Sequence, residues 1–133
     1  MDASALVKLV VVEPESEALR SWLGTRLERA SSVLAAIEVR RAARRAVRGP
    51  HVRGAAALAR ELEVLLASVA LLALDDQVAR RAVGLEPPAL RTLDAIHVAT
   101  ALALPSLEAL ITYDGRLAAA AESAGLPVHA PAA

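Results

Sequence analysis

Cysteine is absent from the 133 residues. Disulfides, thiolate zinc sites and a cysteine nucleophile are thereby excluded. Phenylalanine is absent too, and Trp22 and Tyr113 complete the aromatic complement. That argues against platforms that stack bases on exposed rings. The formal net charge is zero, so no large basic field advertises nucleic acid. The six glycines are scattered and build no phosphate-cradling loop. The longest apolar run, 62–74, is too short to span a bilayer and carries Glu63. The first twenty residues show no basic leader before an apolar core, hence no signal peptide. These absences lead to the expectation of a soluble cytoplasmic protein that does not engage membranes.

What is present is an ordinary globular composition, 56% hydrophobic and 23% charged. Length and the lack of linker or repeat predict a single domain over 1–133. Helical spacing or punctuation predicts helices near 4–12, 15–28, 33–47, 53–67, 77–85, 91–103 and 116–125, with Ser4 capping the first and Gly49-Pro50 stopping the third. Asp75 and Asp76 are expected to cap the helix that follows them. Apolar runs at 69–74 and 109–113, with short extended pieces at Ser31–Ser32 and 127–131, read as strands. Strands alternating with helices, and without internal alternation, predict a parallel α/β sheet covered on both faces, with 69–74 buried.

Four acids fall in informative places. Asp2 lies where a first strand would hand over to the first helix, and Asp114 directly follows the strand ALITY. Open α/β sheets bind ligands beyond the carboxyl ends of their strands, so these two share a crevice. Glu38 sits inside a helix between Ile37 and Val39, and Asp94 sits in a first turn among Leu93, Ala95 and Ile96. A carboxylate in an apolar stretch is costly unless it is paired or bound to a cation. Singly, each has a plainer reading. Asp2 can be a terminal acid, Glu38 a partner of Arg41 or Arg45 on its own helix, Asp94 a helix-dipole acid, and Asp114 a turn residue. Together they describe a hard, all-oxygen site suited to Mg²⁺ or Mn²⁺.

The segments DASALVKL (2–9), IEVRRA (37–42), LRTLDAIHVATAL (90–102) and ITYDGRLAAAA (111–121) resemble, in this order, the PIN-domain ribonucleases, most closely VapC-type toxins. The resemblance implies a three-layer fold with a central parallel sheet of about four to five short strands. It places the family's acidic quartet on Asp2, Glu38, Asp94 and Asp114, its hydroxyl after the first acid on Ser4, and the Thr of its T-x-D element on Thr112. It implies Mg²⁺- or Mn²⁺-dependent cleavage of RNA, inhibition by a cognate VapB-like antitoxin, and homodimers. One departure stands out: the family carries several apolar strand residues before the first Asp, whereas only Met1 precedes Asp2 here. The expectation is a reading frame that starts a few codons earlier.

Phosphodiester hydrolysis needs an activated water and charge relief, which divalent ions supply. Asp2, Asp94 and Asp114 are the expected direct ligands, with Glu38 bound directly or through water, and Ser4 and Thr112 orienting them. Arg41, Arg45 and Arg48 make one stripe beginning at Glu38, readable as an RNA-backbone track or as a solvated face. His97 is expected to be a hydrogen-bonded structural histidine, with contact to the site as the alternative. His51 and His129 read as loop and strand-end residues. Setting aside the four site acids leaves 15 basic against 11 acidic residues, a net basic exterior once cations offset the quartet. Two rival functions remain: a non-catalytic PIN-shaped interaction protein, and a PIN nuclease of RNA or DNA processing outside any toxin–antitoxin pair.

Overall fold

Residues 1–24, 26, 28–47 and 54–132 are described by a computed structural model. Asp2 has extended backbone and accepts a hydrogen bond from the Ala5 amide at 3.1 Å, which caps α1 (Ala3–Val10). The cap is therefore Asp2 rather than Ser4, whose hydroxyl is turned onto the Asp2 carboxylate instead. α2 (Ser16–Leu23) buries Leu19 and Leu23 and stops at Gly24, shorter than the sequence pattern suggests. Strand β1 (Ala30–Ser32) runs straight into α3 (Val33–Ala46), because the Ser32 hydroxyl caps the helix through the Leu34 amide. Arg48, the Gly49-Pro50 stop, His51 and Arg53 lie outside the described residues.

α4 (Ala55–Ala67) leads to β2 (Ala70–Leu72), and Asp75 caps α5 (Asp76–Val83) through the Val78 amide at 2.8 Å. α6 (Thr92–Leu102), β3 (Leu110–Ile111), α7 (Gly115–Ser123) and β4 (Val128–His129) complete the chain, with Asp114 capping α7. β1 pairs with β2 and β3 with β4, both in parallel, with Ala30 opposite Ala70 and Leu110 opposite Val128. The first two residues join the pairs. The Met1 nitrogen donates to the Ala30 carbonyl at 2.8 Å, and the Asp2 amide donates to the Ile111 carbonyl at 3.1 Å. Asp2 thus stands between β1 and β3, where a central strand's carboxyl end belongs.

The expectation of a buried strand at 69–74 is corrected. Only 70–72 pair, and β2 is an edge that pairs with β1 alone, so Ala70 and Leu71 are exposed. β3 is the buried one. Neighbouring strand residues point to opposite faces. Leu110 packs with Val98 of α6 and Leu117 and Ala121 of α7, while Ile111 packs with Ala5 of α1 and Leu19 and Leu23 of α2. Helices therefore cover both faces of this strand, as a three-layer arrangement requires. A further core joins α1, α3 and α4 through Leu6, Val39, Leu58 and Leu62.

α7 ends in a Schellman motif. The Leu126 amide reaches the Ala121 carbonyl and the Gly125 amide reaches the Glu122 carbonyl, both at 2.9 Å, with Gly125 at φ +84°. This turn aims the chain into β4. A Cβ at Gly125 would meet no atom within 4 Å, so its cost is conformational alone. Gly125→Ala should lower stability by about 1 kcal/mol. Gly84→Ala, at φ −86° with ordinary contacts, should leave it unchanged or slightly raised. Urea melts of the two variants check the contrast.

Candidate active site

The site is built outward from Asp2, which is 5% exposed. Its Oδ1 takes the Ala5 amide at 3.1 Å, its Oδ2 takes the Thr112 hydroxyl at 2.8 Å, and the Ser4 hydroxyl reaches both oxygens at 2.7 and 2.9 Å. Two donor contacts reach each oxygen, so the fold itself meets the carboxylate's capacity of about four acceptor positions. The same hydroxyls accept in turn. Thr112 Oγ1 receives the Asp114 amide at 3.1 Å, and Ser4 Oγ receives the Tyr113 amide at 2.9 Å. The loop leaving β3 is therefore threaded onto the acid that opens α1. Ser4 and Thr112 thus both hold the Asp2 carboxylate in place.

Asp114 uses Oδ1 to cap α7, accepting from the Arg116 and Leu117 amides at 2.8 and 3.3 Å. Its plain reading as a local turn-and-cap residue thus holds, alongside a place at the strand's carboxyl end. Asp94, in the first turn of α6, is different. Its Oδ2 is buried and has no hydrogen-bond partner among the described residues. Burial, and then the neighbouring Asp114 carboxylate, hold its carboxyl above the usual range, against the opposing pull of Arg116, Arg91 and His97.

Glu38 does not pair with Arg41 or Arg45. Its Oε2 lies 2.7 Å from His97 Nε2, so α3 and α6 are tied together across the site. His97 is 6% exposed and lies one helical turn after Asp94. It is both a structural histidine and a contact of the quartet. The spacing Asp94-x-x-His97 was the available signal, but the partner that gives it meaning lies 59 residues away in sequence. Arg41 and Arg45 are exposed on α3, as either reading of the stripe requires, and Arg40 pairs with Glu63 at 2.9 Å.

Among the described residues no three Asp, Glu or His side chains converge on a common point as a preformed cation cage. The donor set still fits a hard cation. Mg²⁺ typically takes one or two carboxylates and completes its shell with waters and substrate phosphates. Asp94 offers a buried oxygen without a partner among the described residues, within electrostatic reach of the Asp114 carboxylate.

A parallel α/β fold with acids gathered beyond its strand ends defines a class, and the comparison agrees: the chain belongs to the PIN-domain family, whose profile matches residues 1–123. Within it, the chain is similar to curated proteins of Mycobacterium tuberculosis. It is 48% identical over 132 residues to Ribonuclease VapC46, covering 98% of this chain and 95% of the relative. It is 41% identical over 136 residues to Ribonuclease VapC35, with the same coverage, and 35% identical over 138 residues to Ribonuclease VapC47, covering 100% and 96%.

Two consequences follow for Asp94. Its ionised form is disfavoured by the fold, so stability should rise as pH falls through its elevated pKa and its carboxyl becomes neutral. For the same reason Asp94→Asn should melt higher than the wild type in metal-free buffer at pH 7. Millimolar Mn²⁺ should raise the wild-type melting temperature and leave that of the variant nearly unmoved. A variant that melts lower and retains the Mn²⁺ shift would remove Asp94 from the site.

Proposed function

We propose that this chain is a divalent-metal-dependent endoribonuclease of the VapC type. The observation that carries the reading is the buried, partnerless Asp94 oxygen beside Asp114, at the strand ends of a PIN domain. The names of the three relatives, all ribonucleases, supply the substrate class.

In this reading Asp2, Asp94 and Asp114 hold Mg²⁺ or Mn²⁺, with Glu38 reaching it directly or through a water. A bound divalent cation supplies charge relief on the phosphate and lowers the pKa of a water. The chain's own groups do the rest. Ser4 and Thr112 fix the orientation of Asp2, and Thr112 also fixes the backbone at Asp114. His97 holds Glu38 at one rotamer, so this carboxylate is placed to accept a proton from the attacking water. Attack forms a new P–O bond and breaks the bond to the 3′ oxygen, which takes up a proton from solvent water and leaves as a 3′-hydroxyl opposite a 5′-phosphate.

Two protein partners come with this reading: a VapB-like antitoxin that silences the site and a second copy of the chain. A cytoplasmic location belongs to it too. Among the described residues no helix is long and apolar enough to cross a membrane.

Incubating purified protein with total RNA and Mg²⁺ or Mn²⁺, then mapping the cut ends, tests the proposal. Discrete cuts bearing 5′-phosphates are expected, and EDTA should abolish them. Asp94→Asn should reduce cutting to background, whereas Asp76→Asn, at the exposed start of α5, should cut as the wild type does. His97→Ala should lose about 10- to 100-fold through its hold on Glu38. A folded wild type that cuts nothing at millimolar metal would favour the non-catalytic interaction protein. Cutting without growth arrest on expression would favour a processing nuclease.

A further inference from the structure

We infer that Arg91 and Arg116 clamp an RNA phosphate next to the scissile bond, across a pocket that shares Asp94 with the candidate active site. The inference rests on the ribonuclease reading and adds how the substrate is held there. The pocket, about 350 Å³, lies between the chain entering α6 and the exposed side of α7. Arg91 is the residue that leads into α6 and Arg116 is the second residue of α7, so the starts of two helices each place an arginine on the lining of one pocket. The wall between them is apolar, formed by Pro87, Leu90 and Ala120.

Neither arginine is held by a hydrogen-bonded carboxylate among the described residues. Arg26 pairs with Glu108 at 2.8 Å and Arg40 with Glu63 at 2.9 Å. Arg116 comes no nearer to Asp114 than 3.9 Å, beyond hydrogen-bond distance, and Arg91 has no ion pair among the described residues. Both are exposed. The acid they share is Asp94, which in the active-site reading is committed to the metal. Once it is so committed, two arginines line the pocket without that counter-charge. A phosphodiester suits them, since guanidinium forks bind phosphate oxygens in bidentate fashion. The volume sits near the lower bound of about 300 Å³ for ligand pockets, enough for a sugar-phosphate unit. No aromatic ring lines the pocket, so nothing there stacks a base, and the pair reads backbone rather than sequence.

The test separates this inference from the ribonuclease reading by measuring binding without catalysis. A labelled single-stranded oligoribonucleotide is titrated in millimolar Ca²⁺, another hard cation for oxygen ligands, with the RNA checked to be intact on a gel, at several salt concentrations against wild type, Arg91→Ala, Arg116→Ala, the double variant and Arg60→Ala. Arg60 is an exposed arginine of α4 and serves as control. Each single variant should bind about 5- to 10-fold more weakly, in line with loss of a charge-assisted contact at an exposed position. Each should also flatten the salt dependence by about 0.7 in log K per log salt. The double variant should approach the product of the two losses, Arg60→Ala should match wild type, and all variants should still unfold cooperatively in thermal melts. Arg91→Lys and Arg116→Lys should keep the salt slope while recovering only part of the affinity. With Mg²⁺ or Mn²⁺, the losses should fall on KM and leave kcat within about threefold, as expected for uniform binding. A folded double variant with wild-type affinity and slope would overturn the clamp, as would losses confined to kcat or a wild type that binds no RNA. Wild type that binds but never cuts would instead defeat the ribonuclease reading, leaving the clamp to be decided by the binding titrations.

Discussion

The carboxylate of Asp2 is the joint on which both fold and site depend. It is an ionisable group at 5% exposure, which the fold can hold only by surrounding it with donors. Those donors come from two places in the chain: Ala5 and Ser4 in the first turn of α1, and Thr112 at the exit of β3. Satisfying one acid therefore starts a helix and docks a strand end. The two hydroxyls then accept the amides of Tyr113 and Asp114, so the position of a second site acid follows from the first. Tyr113 is fixed from its far side as well, by its hydroxyl bond to the Pro131 carbonyl and by Lys8 at 4.7 Å from its ring.

Against this satisfied half stands an unsatisfied one. Asp94 keeps a buried oxygen without a partner and shares its surroundings with Asp114, an arrangement that opposes stability. The scaffold tolerates it because α6 is the most deeply packed helix. Every residue from Ala95 to Ala101 is buried, with Ile96 and Ala99 against Val78 of α5, and Val98 and Ala101 in the core shared with α7. Strain of this kind concentrates at functional sites, where the missing partner is a ligand rather than a neighbour. The Glu38–His97 contact belongs to the same helix and extends its rigidity to α3.

The local chemistry of the chain was legible wherever the deciding partner was close in sequence. Asp75 as a cap, the helix break after Ser123 at Gly125 and the parallel αβ alternation all depend on neighbours within a few residues. Where the partner was distant, local reasoning chose wrongly or could not choose. Asp2 and Ser4 are both good caps, and Thr112, 110 positions on, is what engages Asp2. Glu38 has arginines at helical spacing, yet its partner is His97 on another helix. The run 69–74 is as apolar as a central strand, but burial depends on sheet order, and β2 ends up at the edge. The four acids stood out as candidates because carboxylates at strand ends and in apolar surroundings are conspicuous on chemical grounds. Arg91 and Arg116 carried no such mark, since an exposed arginine is ordinary until its neighbours are known.

Charge placement links these features to the way RNA would approach. The chain is neutral by count, 15 basic residues against 15 acidic. The count conceals a division of labour. Arg26 and Arg40 are paired with Glu108 and Glu63 at the surface and project little net field. Arg91 and Arg116 instead flank the acids of the site, where their charge is offset by carboxylates as long as those carboxylates remain unbound. In the proposed reading, a cation held by Asp94 and Asp114 would change that balance locally, turning a self-neutralised cluster into one that attracts a polyanion. In this arrangement metal and RNA would bind with positive coupling, each relieving the repulsion that opposes the other. The coupling needs no conformational change, only the short distances over which buried and half-buried charges remain unscreened.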